Sequence, residues 1–475
     1  MALRLSRLGR ISFVYFAACT SGVGFFAACD APVETLPGTT TSTDVATVVT
    51  VVTSTTTSMT DATTSAVGGA GGIGGAGGSG GAGGLGGSGG AGGSGGAGGA
   101  GGAGGAGGAG GMAPTYAGLA LGEEHSCATA LTGKVACWGN NASGQLGNDL
   151  LGQDSTEPVV VSGELGDPAM SLGSGWNVAC AVTNKSEVWC WGSNGFGGTL
   201  GVNDAAMPAS PVPVKTVTAT GTTVDGGRGH LCSTDGTDIL CWGTNGFGQL
   251  GDAALASSAA PHKVPSGLPV GAKVVSLAAG GFHTCAAFDN GDAYCWGRAD
   301  RGQLGDGSFA TPKQLAPVKV AGLTKKVVEL TAGDLFTCAR LEDATVVCWG
   351  GNDQGMLGNG TKTSSASPVG VTGVTNAVQL VSGEEFACAR LATGAVTCWG
   401  ANASGQLGDA TNIGASAPVA VMMLTTATGL AAGNGHACAQ LATGGVRCWG
   451  ANAKGQLGNK SLVSSNVPVT PFGLD

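Results

Sequence analysis

The chain is poor in charge and in aromatic rings. Of its 475 residues, 11% are charged, 5% are aromatic and only five are histidine. No cluster of lysine and arginine follows the leader, and the formal net charge is −9. A nucleic-acid partner is excluded on that ground, because phosphate recognition needs a basic footprint. Beyond residue 28 no apolar run is long enough to span a bilayer. Helical apolar periodicity is missing, which argues against an α-helical domain. No serine elbow, phosphate loop, fixed carboxylate pair or metal-ligand cluster appears, so no catalytic, cofactor-binding or metal residue is assigned and no cofactor is expected.

Glycine is what the chain has in abundance, 92 residues of it. From Ala70 to Met112 only every third residue is not glycine, and the tract contains no proline. A collagen triple helix relies on proline for stiffness, so the tract reads as a flexible spacer, with a polyglycine-type bundle as the alternative. Before it, residues 29–67 are rich in Thr, Ser and Val and read as a disordered segment.

The first 28 residues have the layout of an export signal. Arg4, Arg7 and Arg10 precede an apolar stretch that ends in Phe26-Ala27-Ala28-Cys29. Small residues before a cysteine resemble a bacterial lipobox, with Cys29 as the lipidated residue; a plain cleaved signal or an uncleaved anchor are the alternatives. Cys19 is a weaker echo, because it would leave too short an apolar run. The expected location is the cell envelope or the outside of the cell. The membrane would be touched only through the N-terminal lipid anchor.

Residues 116–475 repeat. Cys-Trp-Gly recurs with its Trp at 138, 191, 242, 296, 349, 399 and 449, at gaps of 50 to 54 residues. A period of that length marks a repeat architecture. Each unit reads as short antiparallel strands punctuated by Gly and Asn, as in His283-Thr284-Cys285-Ala286-Ala287 and Asp292-Ala293-Tyr294-Cys295-Trp296-Gly297. Between the paired cysteines lies a three-residue hairpin loop ending in Gly291, with Gly133, Gly394 and Gly444 in the same place. The third unit is one residue shorter and turns on Gly236-Thr237. A further strand follows each Gly-x-Leu-Gly turn. Since the chain ends with such a strand near Val467, that strand is expected to complete the first unit and close a ring.

Fourteen cysteines form seven pairs across these hairpins: Cys127 with Cys137, Cys180 with Cys190, Cys232 with Cys241, Cys285 with Cys295, Cys338 with Cys348, Cys388 with Cys398, and Cys438 with Cys448. Directly opposed strand positions lie within disulfide reach, and export would make such bonds persist. Metal ligation and free buried thiols are the other readings. Four of the five histidines, His125, His230, His283 and His436, share one repeat position that holds Val178, Phe336 or Phe386 in the other units. Val and Phe can replace imidazole in packing but not in chemistry, so these histidines read as structural. The seven tryptophans read as wedges between units, and the glycines five residues before each first cysteine as points of close backbone approach. Trp176 and Trp189 fall outside the repeat pattern and are candidates for a surface.

Units of the form Gly-x-x-His-x-Cys-Ala…Gly-x-Val-x-Cys-Trp-Gly-x-Asn-x-x-Gly-Gln-Leu-Gly, clearest at residues 125–147, 283–305 and 436–458, resemble regulator of chromosome condensation (RCC-type) repeats. The resemblance covers residues 116–475 and implies an all-β fold, a seven-bladed β-propeller of four-stranded blades. The second unit departs from the motif at Gly197-Gly198-Thr199-Leu200-Gly201, and the fifth carries Met356 in place of Gln. Eukaryotic members of that family include a nucleotide-exchange factor for a small GTPase, and GTPase regulation is one implied function. Export argues against a cytoplasmic GTPase. The leading expectation is a non-enzymatic scaffold that binds a protein or a glycan. A propeller lyase or hydrolase is a weaker alternative. Specificity on a repeated scaffold sits where the copies differ. The connections after each Gly-x-Leu-Gly differ, and Asn203, Met207 and Phe309 are the candidate residues of a binding rim.

Overall fold

A computed structural model describes residues 116–475 except Glu164 and Ala205. The signal peptide of residues 1–28, the lipidation candidate Cys29, the Thr/Ser-rich segment 29–67 and the Gly-rich linker 68–115 lie outside the described residues.

The described chain forms seven four-stranded antiparallel sheets arranged as propeller blades. In the first blade β1 (Tyr116–Leu121), β2 (His125–Ala130), β3 (Val135–Gly139) and β4 (Ser155–Val160) run in order from the central channel outward. The same unit recurs six times, with innermost strands beginning at Ala169, Thr223, Val274, Val327, Ala377 and Ala427. Every blade is contiguous in sequence.

That contiguity corrects one expectation. The last strand, Ser465–Val469, pairs with Val446–Gly450 of the seventh blade and not with the first blade. The ring needs no shared strand because two sets of hydrogen bonds already join every pair of neighbours. Each Cys-Trp-Gly indole donates from Nε1 to a main-chain carbonyl of the preceding blade at 2.8–3.0 Å, and Trp138 does so to Gln456, linking blade one to blade seven. Around the channel mouth a second set runs the other way. It passes from the N–H of Glu123 to Trp176 O, and likewise Trp176 to Gly227, Arg228 to Gly281, Gly281 to Gly333, Asp334 to Glu384, Glu384 to Asn434 and Asn434 to Gly122. Both circuits close, and no blade is left with a loose seam.

The circuit also explains why two irregular units keep their place. Thr199 and Met356 stand where other blades have Gln, yet each supplies the same carbonyl to a tryptophan, at 2.8 Å in both cases. The bond uses the main chain, so the side chain there is free to vary.

The second and third strands of each blade set the cysteines face to face. Cys127 lies opposite Cys137, Cys180 opposite Cys190, Cys232 opposite Cys241 and Cys285 opposite Cys295. Cys338 lies opposite Cys348, Cys388 opposite Cys398 and Cys438 opposite Cys448. Their Cα atoms are 4.0–4.1 Å apart with the sulfurs at bonding distance, a geometry compatible with one disulfide inside each blade and none between blades.

Cys-Trp-Gly has a mechanical origin. Pairing to the outermost strand skips the tryptophan in every blade, as between Cys137 and Gly139, and this bulge sends the indole into the neighbouring blade. The glycine that follows sits at φ near +100°, for instance 103° at Gly139, where a Cβ would lie 2.3 Å from Glu124 O. Gly122 has a separate constraint: a Cβ there would meet the His125 ring at 2.0 Å.

The core is a ring of interblade layers. Trp, Leu, Val, Ala and Cys from adjacent blades pack together, as where Phe336, Cys338 and Cys348 meet Ala387 and Trp399. Second strands such as His230–Thr234 are buried at every residue, since both faces are covered. Small Ala, Ser, Thr and Cys side chains let the sheets approach.

Candidate functional site

In each blade the turn from the first to the second strand and the connection from the third to the fourth emerge on the same face, because successive strands are antiparallel. The first set of turns surrounds the channel; the second set forms the outer rim.

Asn203 is exposed on the rim, in the left-handed region at φ 58°, with its N–H donating to Ala259 O at 2.8 Å. Phe309 is also exposed, on the connection of the fourth blade. Met207, expected to be exposed, is half-buried against the core between blades two and three, where Asn194 Nδ2 holds its carbonyl at 3.0 Å. Asn203 and Phe309 belong to different blades, and the structure does not bring them together as one site. Trp189 lies toward the outside of its blade, with its indole donating to Glu187.

Chemical diversity instead concentrates at the channel mouth. The residue following the constrained glycine is Glu123, Trp176, Arg228, Gly281, Asp334, Glu384 and Asn434 in successive blades. Arg228 reaches across this ring. Its guanidinium lies 3.8 Å above the Trp176 ring and 5.8 Å from Phe282, its Nε is 2.8 Å from Asp334 Oδ1, and it pairs with Glu384. Side chains of five blades are thus tied together by one guanidinium. Burial raises the Asp334 carboxyl above its ordinary range while Arg228 opposes the rise. Burial raises Glu123 and Glu385 too, reinforced by Glu124 beside the first and Asp334 beside the second.

Beneath the mouth lies a cavity of about 250 Å³ walled by the innermost strands. Asp225 lines it, accepting from the N–H of Ala279 at 2.9 Å and of Gly226 at 3.0 Å. Enclosure by the channel pushes its carboxyl up to about 7.

Sequence reading singles out Trp176 from this group and misses Arg228, Asp334 and Glu384. The signal is there: aligning the seven units on their first cysteine gives this column six residue types in seven copies.

The structure defines a class, a seven-bladed propeller whose one face carries an asymmetric polar ring around a narrow channel. The family follows from sequence comparison. Residues 112–412 match the RCC1-like domain, and residues 393–440 and 427–456 match the regulator of chromosome condensation (RCC1) repeat. The chain belongs to the RCC1-like family. It is similar to the ultraviolet-B receptor UVR8 of Arabidopsis thaliana, 31% identical over 53% of this chain and 56% of the receptor. It is also similar to the human E3 ubiquitin-protein ligase HERC2, 30% identical over 52% of this chain but only 5% of the ligase. The chain therefore spans a small part of one relative and about half of the other. Among solved structures it resembles human WBSCR16, with a TM-score of 0.61 at 22% identity, covering 68% of this chain and 85% of that one. It likewise resembles Prp20p of Saccharomyces cerevisiae, with a TM-score of 0.63 at 19% identity, covering 74% and 86%.

Proposed function

We propose that this chain is a non-enzymatic binding propeller, exported and held at the cell envelope by lipid on Cys29. Its recognition face would be the one that carries the channel mouth and the variable rim. One observation carries the binding reading: on a scaffold whose interblade bonds repeat seven times, the mouth column changes residue type at almost every blade. Repeated positions hold the ring together, and the varied ones are free to be selected by a partner. The leader and the seven cysteine pairs support export. A protein partner accords with the likeness to Prp20p, which has binding properties toward Gsp1p and histones. A glycan partner is the alternative on the same face.

Fractionating cells and capturing partners from envelope extracts with the full chain tests this. The expected result is recovery in the membrane fraction and a partner that is lost on Trp176→Ala or Phe309→Ala. Recovery in the cytosol, with acceleration of guanine-nucleotide release from a small GTPase, would replace this reading with the exchange-factor one.

A further inference from the structure

We infer that the central channel is a binding site for a small alkylammonium ion, held inside the ring against Asp225. The inference concerns the interior of the propeller and does not depend on the partner read for its outer face.

The cavity beneath the mouth, of about 250 Å³, has room for about eight waters or a small molecule. Among the residues that line it below the mouth ring, Asp225 alone carries charge. The fold does not ask for a carboxyl there. Asp225 stands opposite Cys232 on the innermost strand, and the same position holds Ala120, Gly173, Ala278, Thr331, Val381 and Ala431 in the other blades. Six blades thus build the channel wall with a neutral residue. An enclosed charge is costly, so one that the ring can do without marks a site.

The surroundings of Asp225 say what it would take. Each oxygen accepts one main-chain N–H, from Ala279 at 2.9 Å and from Gly226 at 3.0 Å. A carboxylate has about four acceptor sites, so acceptor capacity is left over. Among the described residues no ion pair within 4.0 Å involves Asp225. The wall offers few donors in return, because the seven N–H groups of the mouth ring are spent on the circuit between blades. Elsewhere on the wall Thr331 Oγ1 and Ser382 Oγ share a hydrogen bond at 2.6 Å, and their lone pairs add acceptors. Apolar side chains such as Leu119, Leu172 and Val381 complete the lining.

An occupant must therefore bring positive charge, its own donors and a short apolar body, and an alkylammonium ion has all three. A metal ion fits less well, since no three ligating side chains converge among the described residues. Arg228 reaches across the mouth from Trp176 to Asp334 and Glu384, which favours a small free ion over a polypeptide side chain.

The test is calorimetric titration of the full chain at pH 8 with millimolar propylammonium, 1-propanol, propionate and tetrabutylammonium. At that pH the Asp225 carboxyl, raised to about 7 by enclosure, is ionised. Propylammonium is expected to bind and the alcohol and the anion to fail. Tetrabutylammonium, too bulky for the channel, should fail as well. Asp225→Asn should weaken propylammonium binding about tenfold or more, with thermal unfolding showing the ring intact. Asp225→Ala, which copies Ala278 of the fourth blade, should do the same and keeps the test open if the amide variant misfolds. Absence of propylammonium binding, binding that survives both variants, or equal binding of tetrabutylammonium overturns the inference. None of these outcomes bears on capture of an envelope partner, so the binding-face reading stands or falls separately.

Discussion

His436 Nε2 lies 2.8 Å from Ser126 Oγ across the junction of the seventh and first blades. The same contact joins His230 to Thr284 and His283 to Thr337, each at 2.9 Å. Where a blade carries Phe336 or Phe386 instead, the facing residue is Ala387 or Ala437, and Val178 packs with Leu231. The chain therefore follows a pairing rule, histidine with a hydroxyl and an apolar ring or branch with an apolar partner. His125 breaks it. The repeat sets Ala179 opposite it, and neither ring nitrogen meets a polar atom of the described residues although the side chain is fully buried. A buried polar group without a partner costs about 1–3 kcal/mol. Ala179→Ser should supply the missing hydroxyl and raise stability by about 1 kcal/mol, and His125→Phe should do at least as well. Denaturant unfolding of the two variants checks this; destabilisation by both would refute the rule.

These histidines also set a pH dependence. Burial holds His125 and His230 down to about 4, and His283 and His436 down to about 3, all below the ordinary 6.5. The folded state thus binds fewer protons than the unfolded chain in mild acid. Their contribution is complete above about pH 6.5 and is lost as pH falls toward the folded values, at about 1.4 kcal/mol per pH unit for each histidine. Asp225 runs the opposite way. Its carboxyl is raised from 3.8 to about 7, so the fold loses stability as pH rises between those two values, and the loss is complete above 7. Four histidines outweigh one carboxyl, so the unfolding free energy should fall steeply as pH drops below about 6.5, and His283→Phe should flatten the curve. Asp225→Asn should stabilise at pH 8 and do so much less at pH 5.

Ring closure without a shared strand makes the last seam equivalent to the others. Trp138→Phe removes the bond to Gln456 O across blades seven and one, and Trp399→Phe removes the bond to Met356 O within the ring. Each should cost about 1–2 kcal/mol, and the two should agree within experimental error. A far larger loss at Trp138 would mean that closure depends on that seam alone.

Much of the fold can be read directly from the chain because the repeat exposes which residues are fixed. The four-stranded units, the cysteine register and the tryptophan wedges all follow from comparing copies. Cys285 pairs with Cys295, as the three-residue loop ending at Gly291 requires, and Gly291 has φ 92°. The shorter third unit obeys the same logic, with Cys232 opposite Cys241 and Gly236 at φ 91°. Ring closure is misread from the sequence because a terminal strand with the right motif suits either end of a toroid. The bonds that decide it, such as Trp138 to Gln456 O, come from main-chain carbonyls that leave no mark on residue type. The channel-mouth site is hidden for another reason. Arg228 meets Asp334 and Glu384 across the ring, and those partners lie 106 and 156 positions away in the chain, so no local spacing brings them together.

The cysteine pairs give a test of compartment as well as of stability. Every pair, from Cys127 with Cys137 through Cys180 with Cys190 to Cys438 with Cys448, is buried within its own blade. Mass spectrometry of protein isolated under alkylating conditions should find the fourteen propeller thiols blocked by one another and none alkylated. Free thiols would argue against export. Replacing Cys388 and Cys398 together by Ala should cost up to about 3 kcal/mol, as the closed loop is short and little unfolded-chain entropy is at stake.

The hairpin turns supply the last prediction. The left-handed position taken by Gly291 in the fourth blade is held by Ala344 in the fifth, at φ 64°, and by Ser186 in the second, at φ 61°. A residue with a Cβ pays about 1–2 kcal/mol to adopt that conformation, whereas glycine adopts it freely. Part of the relief on substitution is returned through the more flexible unfolded chain. Ala344→Gly should therefore stabilise the fifth blade by about 0.5–1 kcal/mol. The reverse change, Gly394→Ala at φ 83°, should destabilise more strongly, because a Cβ there would also sit 2.7 Å from Thr425 O. Paired thermal unfolding of the two variants should move the midpoint in opposite directions. Shifts of the same sign would show that loop strain does not govern these turns.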